Sequence, residues 1–402
     1  MSTAAADQGP RRRISTANGD YTLLGTAHVS RASADEVTEL VRSGEFDAVA
    51  VELCETRYQT LMDPDRMARM DLFQVIREGK AGMVAASLAL GAYQERVARQ
   101  AGIQPGAEMQ AAVREAHAAG LPVLLVDREI GTTLRRVYRS VPWWQRLTLV
   151  SGLFSGLITR QEVSPEAIEE LKEGDVLEST FAEFAQRSER LYRPLIAERD
   201  EYMALRLRES NADGQYRNVL VVIGAGHLKG LATHLEQAPP AAVSEAREAL
   251  EAVPPGSRWT RALPWAVVAI ILGGFLWGFS RNPQLGAELV GEWFLINGVL
   301  SAAATVLALG HPLTVLGTFF AAPLTSLNPT IGAGFVAAGI EMTLRKPSVG
   351  HFASLRADVA SLAGWWRNRV ARTLLVFLFA TLGSAAGTYI AGFRIFERLM
   401  TG

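Results

Sequence analysis

The segment "VLVVIGAGHLKG", residues 219–230, joins an apolar run to a glycine-rich turn. Turns of this kind often hold a dinucleotide, but that fingerprint needs a third glycine or alanine three residues after the second glycine. Here Gly224 and Gly226 are followed by Lys229 at that place, and His227 stands inside the turn. The segment therefore predicts a strand that ends in a histidine site, not a nucleotide site.

A second copy of this arrangement, "YTLLGTAHVS", occupies residues 21–30, and Gly25 stands to His28 as Gly224 stands to His227. Two strands that deliver a histidine at the same offset favour a shared site, because glycine permits a sharp turn and leaves room beside the imidazole. The alternative is that each histidine caps the following helix or packs in the core.

Composition limits what such a site contains. The chain has 402 residues, 20% of them charged, and a formal net charge of -1, so no electrostatic feature indicates a nucleic-acid partner. Its single cysteine, Cys54, excludes an internal disulfide and a CxxC metal clamp. We interpret Cys54 as a packed thiol, and any metal must be held by nitrogen and oxygen ligands.

Short, nearly continuous apolar runs alternate with helical patterns, as is typical of strands covered on both faces. The strand-like runs are Tyr21–Leu24, Ala48–Val51, Pro122–Val126 and Val219–Ile223. The helical stretches are Ser33–Arg42, Gly106–Ala119 and Pro194–Arg208. We predict an α/β domain over residues 20–237, with a mainly parallel sheet flanked by helices, after a flexible leader of residues 1–19.

Each apolar run is followed by residues able to do chemistry, namely His28, Glu52, Asp127 with Arg128, and His227. In open α/β sheets, ligands bind beyond the carboxyl ends of the strands. Two neutral imidazoles and one carboxylate suit Zn, Mn or Co and leave positions open for water. The pattern predicts a divalent-metal site formed by His28, Glu52 and His227, and hydrolysis is the simplest chemistry for it.

The supporting residues each have an alternative role. Glu52 is either a metal ligand or general base, or a carboxylate favoured by a helix start. Arg57 either stabilises an oxyanion or a substrate carboxylate, or forms a surface ion pair. Asp127 and Arg128 either serve the reaction or pair with neighbours at the sheet edge.

The helical stretch "RPLIAERDEYMALRLRES", residues 193–210, carries Asp200 as a further catalytic candidate. Its polar residues Glu198, Arg199, Asp200 and Tyr202 equally fit a solvated helical face, and we expect that arrangement for the stretch as a whole.

The composition changes near residue 262. "ALPWAVVAIILGGFLWGF", Ala262–Phe279, contains no charge and approaches the roughly 20 residues that span a bilayer. Leu289–Gly310 and Arg372–Phe393 are similar, whereas His311–Ile340 is uncharged but interrupted by prolines and predicts two short helices or a re-entrant hairpin. We predict a helical transmembrane domain over residues 262–402, the alternative being a very apolar soluble helix bundle.

Arginine and lysine residues concentrate in the loop Leu344–Arg372, which places this loop in the cytoplasm by the positive-inside rule. Since the first residues lack a secretory signal, we expect the α/β domain on the same side. Residues 238–261 predict a linker. The apolar stretch Pro142–Ile158 fits a cleft cover, a bilayer contact or a homodimer interface.

Five ordered motifs, "GTAHVS", "VELCETR", "VDREIGTTLRR", "ERDEYMA" and "GAGHLKG", resemble the TraB/PrgY/GumN family, whose relatives include the Tiki proteases. The resemblance implies a domain related to the erythromycin-esterase-like and ChaN-like folds. It also implies a metal-dependent peptidase that uses two GxxH motifs, a glutamate and an arginine, here His28, His227, Glu52 and Arg57. PrgY-type members are linked to shutting down peptide pheromone activity.

The leading hypothesis is thus a multi-pass, membrane-anchored, metal-dependent hydrolase that acts on peptides. A non-catalytic membrane adaptor that sequesters a peptide in the same cleft is the alternative. A transporter is a third hypothesis, because the broken segment "AAPLTSLNPTIGAGF" is similar to the unwound helices of transport sites.

Overall fold

The computed structural model describes residues 10–26, 31–63, 71–92 except 79, 83, 86, 87 and 90, 106–142, 189–254, 258–328 and 331–401. His28, the first nine residues and residues 143–158 of the apolar stretch lie outside the described residues. The chain forms two compact units: unit 1 comprises Met1–Pro64 and Tyr93–Pro254, and unit 2 comprises Asp65–Ala92 and Pro255–Gly402.

Unit 1 contains a five-stranded sheet in the order β1-β2-β5-β3-β4. The strands are β1 (Arg11–Thr16), β2 (Gly19–Thr26), β3 (Ala48–Val51), β4 (Val123–Leu125) and β5 (Asn218–Gly224). β1 is antiparallel to β2, whereas the β2–β5, β5–β3 and β3–β4 pairs are parallel. The described part of unit 1 is therefore mixed α/β with a mainly parallel sheet.

Helices cover both faces of this sheet. The described helices of unit 1 are α1 (Arg31–Arg42), α2 (Glu55–Met62), α4 (Ala107–Ala118), α5 (Ile130–Ser140), α6 (Glu189–Tyr192), α7 (Glu198–Ser210), α8 (Leu228–Glu236) and α9 (Val243–Glu251); α3 (Leu72–Arg77) belongs to unit 2. A π-helical turn, Arg193–Ala197, joins α6 to α7. Met203 and Leu231 pack on one face of the sheet, and Val37 and Met109 pack on the other. Each buried side chain of this size contributes about 1.5–3 kcal/mol.

Strand β1 lies inside the segment that we expected to be a flexible leader, so the expectation is wrong for residues 11–19. Only Ile14 of this strand is buried, and its arginines carry the other contacts. Arg11 pairs with Glu36 of α1 at 2.6 Å, and Arg12 pairs with Glu236 of α8 at 2.7 Å. An edge strand held by backbone pairing and by alternating ion pairs has no apolar run for sequence analysis to detect.

Unit 2 is helical. Its helices are α10 (Arg258–Arg281), α11 (Pro283–Leu307), α12 (Pro312–Thr325), α13 (Ala333–Leu344), α14 (Val349–Ala353), α15 (Leu355–Val359), α16 (Leu362–Arg367) and α17 (Arg369–Thr401), with α3 packed against α13. Within the described residues, three segments are long and apolar enough to cross a membrane, namely Ala262–Arg281, Pro283–Leu307 and Arg369–Arg398.

The interrupted segment forms two short helices, α12 and α13, that return to the same end of unit 2. The backbone N–H of His311, just before α12, donates to Glu341 Oε2 near the end of α13 at 2.8 Å. The Thr314 hydroxyl donates to the same oxygen at 2.7 Å. Glu341 therefore satisfies polar groups in the first turn of α12, which an apolar environment would leave unpaired.

Helices α11 and α17 approach closely through glycines. A Cβ on Gly383 would lie 2.7 Å from the Leu300 carbonyl oxygen and 2.9 Å from the Ser301 Cα. At this interface the Asn297 side chain donates to the Thr388 hydroxyl at 3.1 Å. Small residues and interhelical hydrogen bonds of this type hold apolar helices together where lipid removes the hydrophobic driving force.

Substituting Gly383→Val is expected to lower the thermal stability of the full-length protein in detergent, because the new methyl groups overlap α11 backbone atoms. Overpacking of this kind costs about 1–3 kcal/mol or more. The matched control is Gly291→Val in α11, because nothing lies within 4 Å of a Cβ at that position. Equal melting temperatures for the two variants would contradict the close α11–α17 packing.

Candidate active site

Three polar side chains meet where the parallel strands of unit 1 end. Glu52 directly follows β3, Asp127 lies two residues after β4, and His227 closes a short turn, Ala225–His227, after β5. All three are buried. The sequence prediction that strand ends supply polar groups to one edge agrees with this placement, while His28, after β2, lies outside the described residues.

Glu52 is held on both carboxylate oxygens. Its Oε2 accepts the backbone N–H of Gly224 at 2.7 Å, and its Oε1 pairs with the Arg199 guanidinium. The same Oε1 lies 3.5 Å from His227 Nε2. Glu52 thus faces both the histidine and an arginine, with 1% of the residue exposed.

His227 is oriented by Asp200. The ring is fully buried, and its Nδ1–H donates to Asp200 Oδ1 at 2.5 Å. This contact directs Nε2 toward Glu52, and Nε2 makes no hydrogen bond to any residue that the structure describes. A carboxylate behind Nδ1 is the arrangement that fixes the tautomer of metal-binding histidines.

The charges around His227 change its pKa. Burial lowers the pKa of the imidazole, but the negative charges of Glu52 and Asp200 outweigh that effect and the opposing charge of Arg199, and raise the pKa to about 9. Burial raises the pKa of Asp200 above its ordinary value, against the stabilising contact with His227. The ring therefore holds a proton between two carboxylates unless another cation takes its place.

Arg199 joins two of the acidic groups and was not among our site candidates. Its Nε and Nη2 donate to the two oxygens of Asp127, both at 3.0 Å, and Nη2 also pairs with Glu52. A bidentate guanidinium fixes both the position and the charge of its carboxylates. Asp127 also accepts the backbone N–H of Arg128 at 2.8 Å.

The expected solvated face in residues 193–210 is wrong. Glu198, Arg199, Asp200 and Tyr202 are between 4% and 8% exposed. Consecutive helical positions point in different directions, so Glu198 pairs with Arg128, Arg199 with Asp127, and Asp200 with His227. The sequence signal was the run of alternating charges "ERD" beside apolar residues, which solvation and burial explain equally well.

Arg57 and Arg128, the two arginines predicted from the sequence, differ in their exposure to solvent. Arg57 is about half-exposed at the rim, with Nη1 3.8 Å from Asp127 Oδ2. Arg128 has a fully buried guanidinium that donates to Glu198 at 3.0 Å, to the Pro194 carbonyl at 2.7 Å and to the Leu250 carbonyl at 3.0 Å. These contacts favour a structural role for Arg128.

Residues 238–254 belong to unit 1, whereas we predicted a linker over residues 238–261. Arg139 donates to the Pro254 carbonyl at 3.1 Å, and the Tyr202 hydroxyl donates to Glu251 at 2.7 Å. The sequence suggested a spacer because prolines flank a short polar helix, but arginines of α5 bind the carbonyls near its end.

Comparison with known proteins agrees with the motifs. Residues 12–238 match the family model described as "TraB/PrgY/gumN family", and residues 259–400 match "TraB family protein, C-terminal domain". The chain belongs to the TraB/PrgY/gumN family.

Similar proteins extend the match to distant organisms. An uncharacterized protein of Methanocaldococcus jannaschii is 28% identical over 94% of this TraB-family chain and 96% of its own length. The TraB domain-containing proteins of Homo sapiens and Bos taurus are 29% and 28% identical over 52% of this chain. The chain matches only 61% and 60% of the lengths of these two mammalian relatives.

The glycine of the TraB-family motif "GAGHLKG" that follows His227 makes room for Asp200. A Cβ on Gly230 would lie 1.9 Å from Asp200 Oδ2 and 2.6 Å from its Cγ. Cys54, at the start of α2, is a buried thiol, and burial raises its pKa, so it is poorly suited to act as a nucleophile.

Substituting Gly230→Ala is expected to push the Asp200 carboxylate away from His227 and lower the pKa of the imidazole from about 9. The pKa is measured by NMR on histidine-labelled, chelator-treated protein. Thr233→Ala, an exposed position one turn further along α8, is the control and keeps the wild-type value.

Protonation of His227 also contributes to the stability of the folded protein. Because the folded-state pKa of His227 lies above the unfolded value of about 6.5, its stabilising contribution is complete below about pH 6.5 and disappears as pH rises through about 9. An unchanged imidazole pKa in Gly230→Ala would show that Asp200 does not orient the ring.

Proposed function

We propose that this chain is a membrane-anchored, divalent-metal-dependent hydrolase that acts on peptides, with His28, Glu52 and His227 as metal ligands and Zn, Mn or Co as the metal. The observation that carries the proposal is the buried Nε2 of His227, which has no hydrogen-bond partner in the described part of the chain and faces Glu52 Oε1.

The distance between two of the three proposed ligands supports a metal ion. The separation of 3.5 Å between Nε2 and Oε1 is close to that of two ligands of one tetrahedral ion, about 3.3–3.5 Å for metal–ligand bonds of about 2.0–2.1 Å. Among the described residues no group of three His, Cys, Asp or Glu side chains is arranged to hold a metal. In this proposal His28, outside the described residues, is the third ligand.

Each residue of the site has a distinct task in this proposal. Asp200 holds the Nδ1 proton of His227 and leaves the Nε2 lone pair free for the cation. Glu52 is a ligand or a general base, and the ion pair with Arg199 holds its carboxylate in place. When bound, the metal polarises the scissile carbonyl and lowers the pKa of water.

Arg57 is the substrate-binding residue in this proposal. Its half-exposed guanidinium is attached to α2, whose start is held by hydrogen bonds from Thr56 to Glu129 at 3.1 and 2.8 Å. From this rim position it is suited to bind a peptide carboxylate or to stabilise the oxyanion that forms during amide hydrolysis. We also propose that unit 1 is related to the erythromycin-esterase-like and ChaN-like folds. The proposed substrate is a peptide of the kind that pheromone-shutdown proteins act on.

The His227→Ala and Glu52→Gln variants are expected to lose bound metal and peptide cleavage together. Asp200→Asn keeps the proposed ligands but lowers metal affinity by about 10–100-fold, because only the orientation of His227 is lost. The measurements are elemental analysis of the purified full-length protein and cleavage of a peptide library with and without chelator. Since ligands must be deprotonated, metal affinity is expected to rise with pH.

The matched control is His234→Ala, because His234 lies on α8, the helix that follows His227, outside the site. A protein that retains its full metal content after replacement of both His28 and His227 would refute the metal site. Binding of peptides without cleavage under Zn, Mn and Co would instead identify the chain as a peptide-sequestering adaptor.

We further propose that α10, α11 and α17 span the bilayer, that α12 and α13 form a re-entrant hairpin, and that unit 1 is cytoplasmic. Support comes from the length of the three apolar helices and from the return of the hairpin to one end of unit 2. The positive residues between Leu344 and Arg372 support a cytoplasmic location for that end.

An N-terminal tag is expected to resist protease added to intact cells and to be removed after lysis. A tag on an external loop of a known membrane protein in the same cells is the control for protease activity. Digestion of the N-terminal tag in intact cells would contradict the proposed orientation of the protein.

A further inference from the structure

The two ends of unit 2 differ in their charge balance. At one end, Arg394 pairs with Glu292 at 2.8 Å and Arg398 pairs with Glu288 at 3.2 Å. This end, the paired end, matches its arginines with carboxylates. At the opposite end, where α11 and α13 finish and α17 begins, Arg345 and Arg372 share one carboxylate, Glu341.

We define the basic end by Arg345, Lys346, Arg369 and Arg372. Hydrogen bonds from arginine side chains to backbone carbonyls hold this region together. Arg345 donates to the Leu309 carbonyl at 2.9 Å, and Arg369 donates to the Lys346 carbonyl at 3.3 Å. Trp366, on the adjoining α16, donates to the Leu307 carbonyl at 2.9 Å. The basic end therefore has a defined structure, in which four cations surround the ends of apolar helices.

Few carboxylates are present to neutralise these cations. Between residues 341 and 372 the sequence contains only Glu341 and Asp358. Asp358 accepts hydrogen bonds from Ser354 and Asn368. Glu341 is shared between α12 and two arginines, with Arg345 at 3.1 Å and Arg372 at 3.8 Å.

Arg372, in the first turn of α17, is mostly buried. Its Nε is buried and has no hydrogen-bond partner among the residues that the structure describes. Its Nε lies 3.8 Å from Glu341 Oε1, a carboxylate shared with Arg345, and the like charges of Arg345, Arg369 and Arg372 repel one another. An anion bound between these side chains would supply the missing acceptor and reduce the repulsion.

The surroundings of the basic end are apolar. Leu307, Leu309 and Leu344 are 69%, 56% and 41% exposed, although each lies beside a contact of the basic end. A ligand that places negative charge on the arginines and hydrocarbon on these leucines satisfies both surfaces. Free phosphate would contact only the arginines and would leave the leucines exposed.

We propose that the basic end binds the phosphate-bearing headgroup of an anionic phospholipid, with the acyl chains on the exposed leucines. Basic pockets between membrane helices recognise anionic lipids through the same combination of charge and hydrocarbon. The inference rests on the membrane insertion of unit 2 and is independent of the hydrolytic chemistry of unit 1.

The test uses full-length protein in nanodiscs and in detergent, with retained lipids measured by native mass spectrometry. Phosphatidylglycerol is expected to be retained in preference to phosphatidylcholine. Arg369→Gln with Arg372→Gln is expected to lower this preference by about 10–30-fold, since each cation contributes about fivefold near an anionic surface. Arg369→Lys with Arg372→Lys retains most of the preference, which separates loss of charge from misfolding.

The matched control is Arg394→Gln with Arg398→Gln, which removes the same charge from the paired end and is expected to leave the preference unchanged. Equal losses at both ends, or full displacement of lipid by millimolar inorganic phosphate, would overturn the lipid site. Protein that inserts into nanodiscs without headgroup preference overturns this inference alone, whereas failure to insert also overturns the membrane proposal.

Discussion

The ion pair between Arg199 and Asp127, extended to Glu52, is the interaction on which the site depends. Three carboxylates, Glu52, Asp127 and Asp200, are buried at the end of the sheet, and each would be costly without a partner. Arg199 compensates two of them, and His227 compensates the third. Removing one partner from a buried pair costs about 3–5 kcal/mol, because the remaining charge stays desolvated. The stability of unit 1 therefore depends on keeping these carboxylates and their partners together.

Helix α7 connects the site to other parts of unit 1 through buried ion pairs. Arg199 and Asp200 serve the site, whereas the preceding Glu198 pairs with Arg128 and Arg136. Arg128 also binds the Leu250 carbonyl, and Arg136 binds the nearby Ala249 carbonyl. The segment that leaves unit 1 is thus attached to the helix that carries the site.

Sequence analysis predicted the parts of the structure that have strong local patterns. The apolar run Ala48–Val51 is observed as β3, and the glycine–histidine spacing located His227 at a strand end. Strand β1 was missed because pairing and ion pairs, not apolar residues, stabilise it. Arg199 was missed because a charged triplet on a helix gives no sign of burial until the sheet that it packs against is known. The metal ligand set and the peptide substrate stay predictions.

In unit 2 the same principle applies to a single buried carboxylate. Glu341 accepts the N–H and hydroxyl that begin α12, which allows the hairpin to start within an apolar bundle. A lone carboxylate there would itself be costly, and Arg345 and Arg372 offset it. Two arginines around one carboxylate leave an excess of positive charge, increased further by Arg369. The basic end is therefore a consequence of capping the hairpin, and an anionic lipid headgroup would complete the charge balance that Glu341 begins.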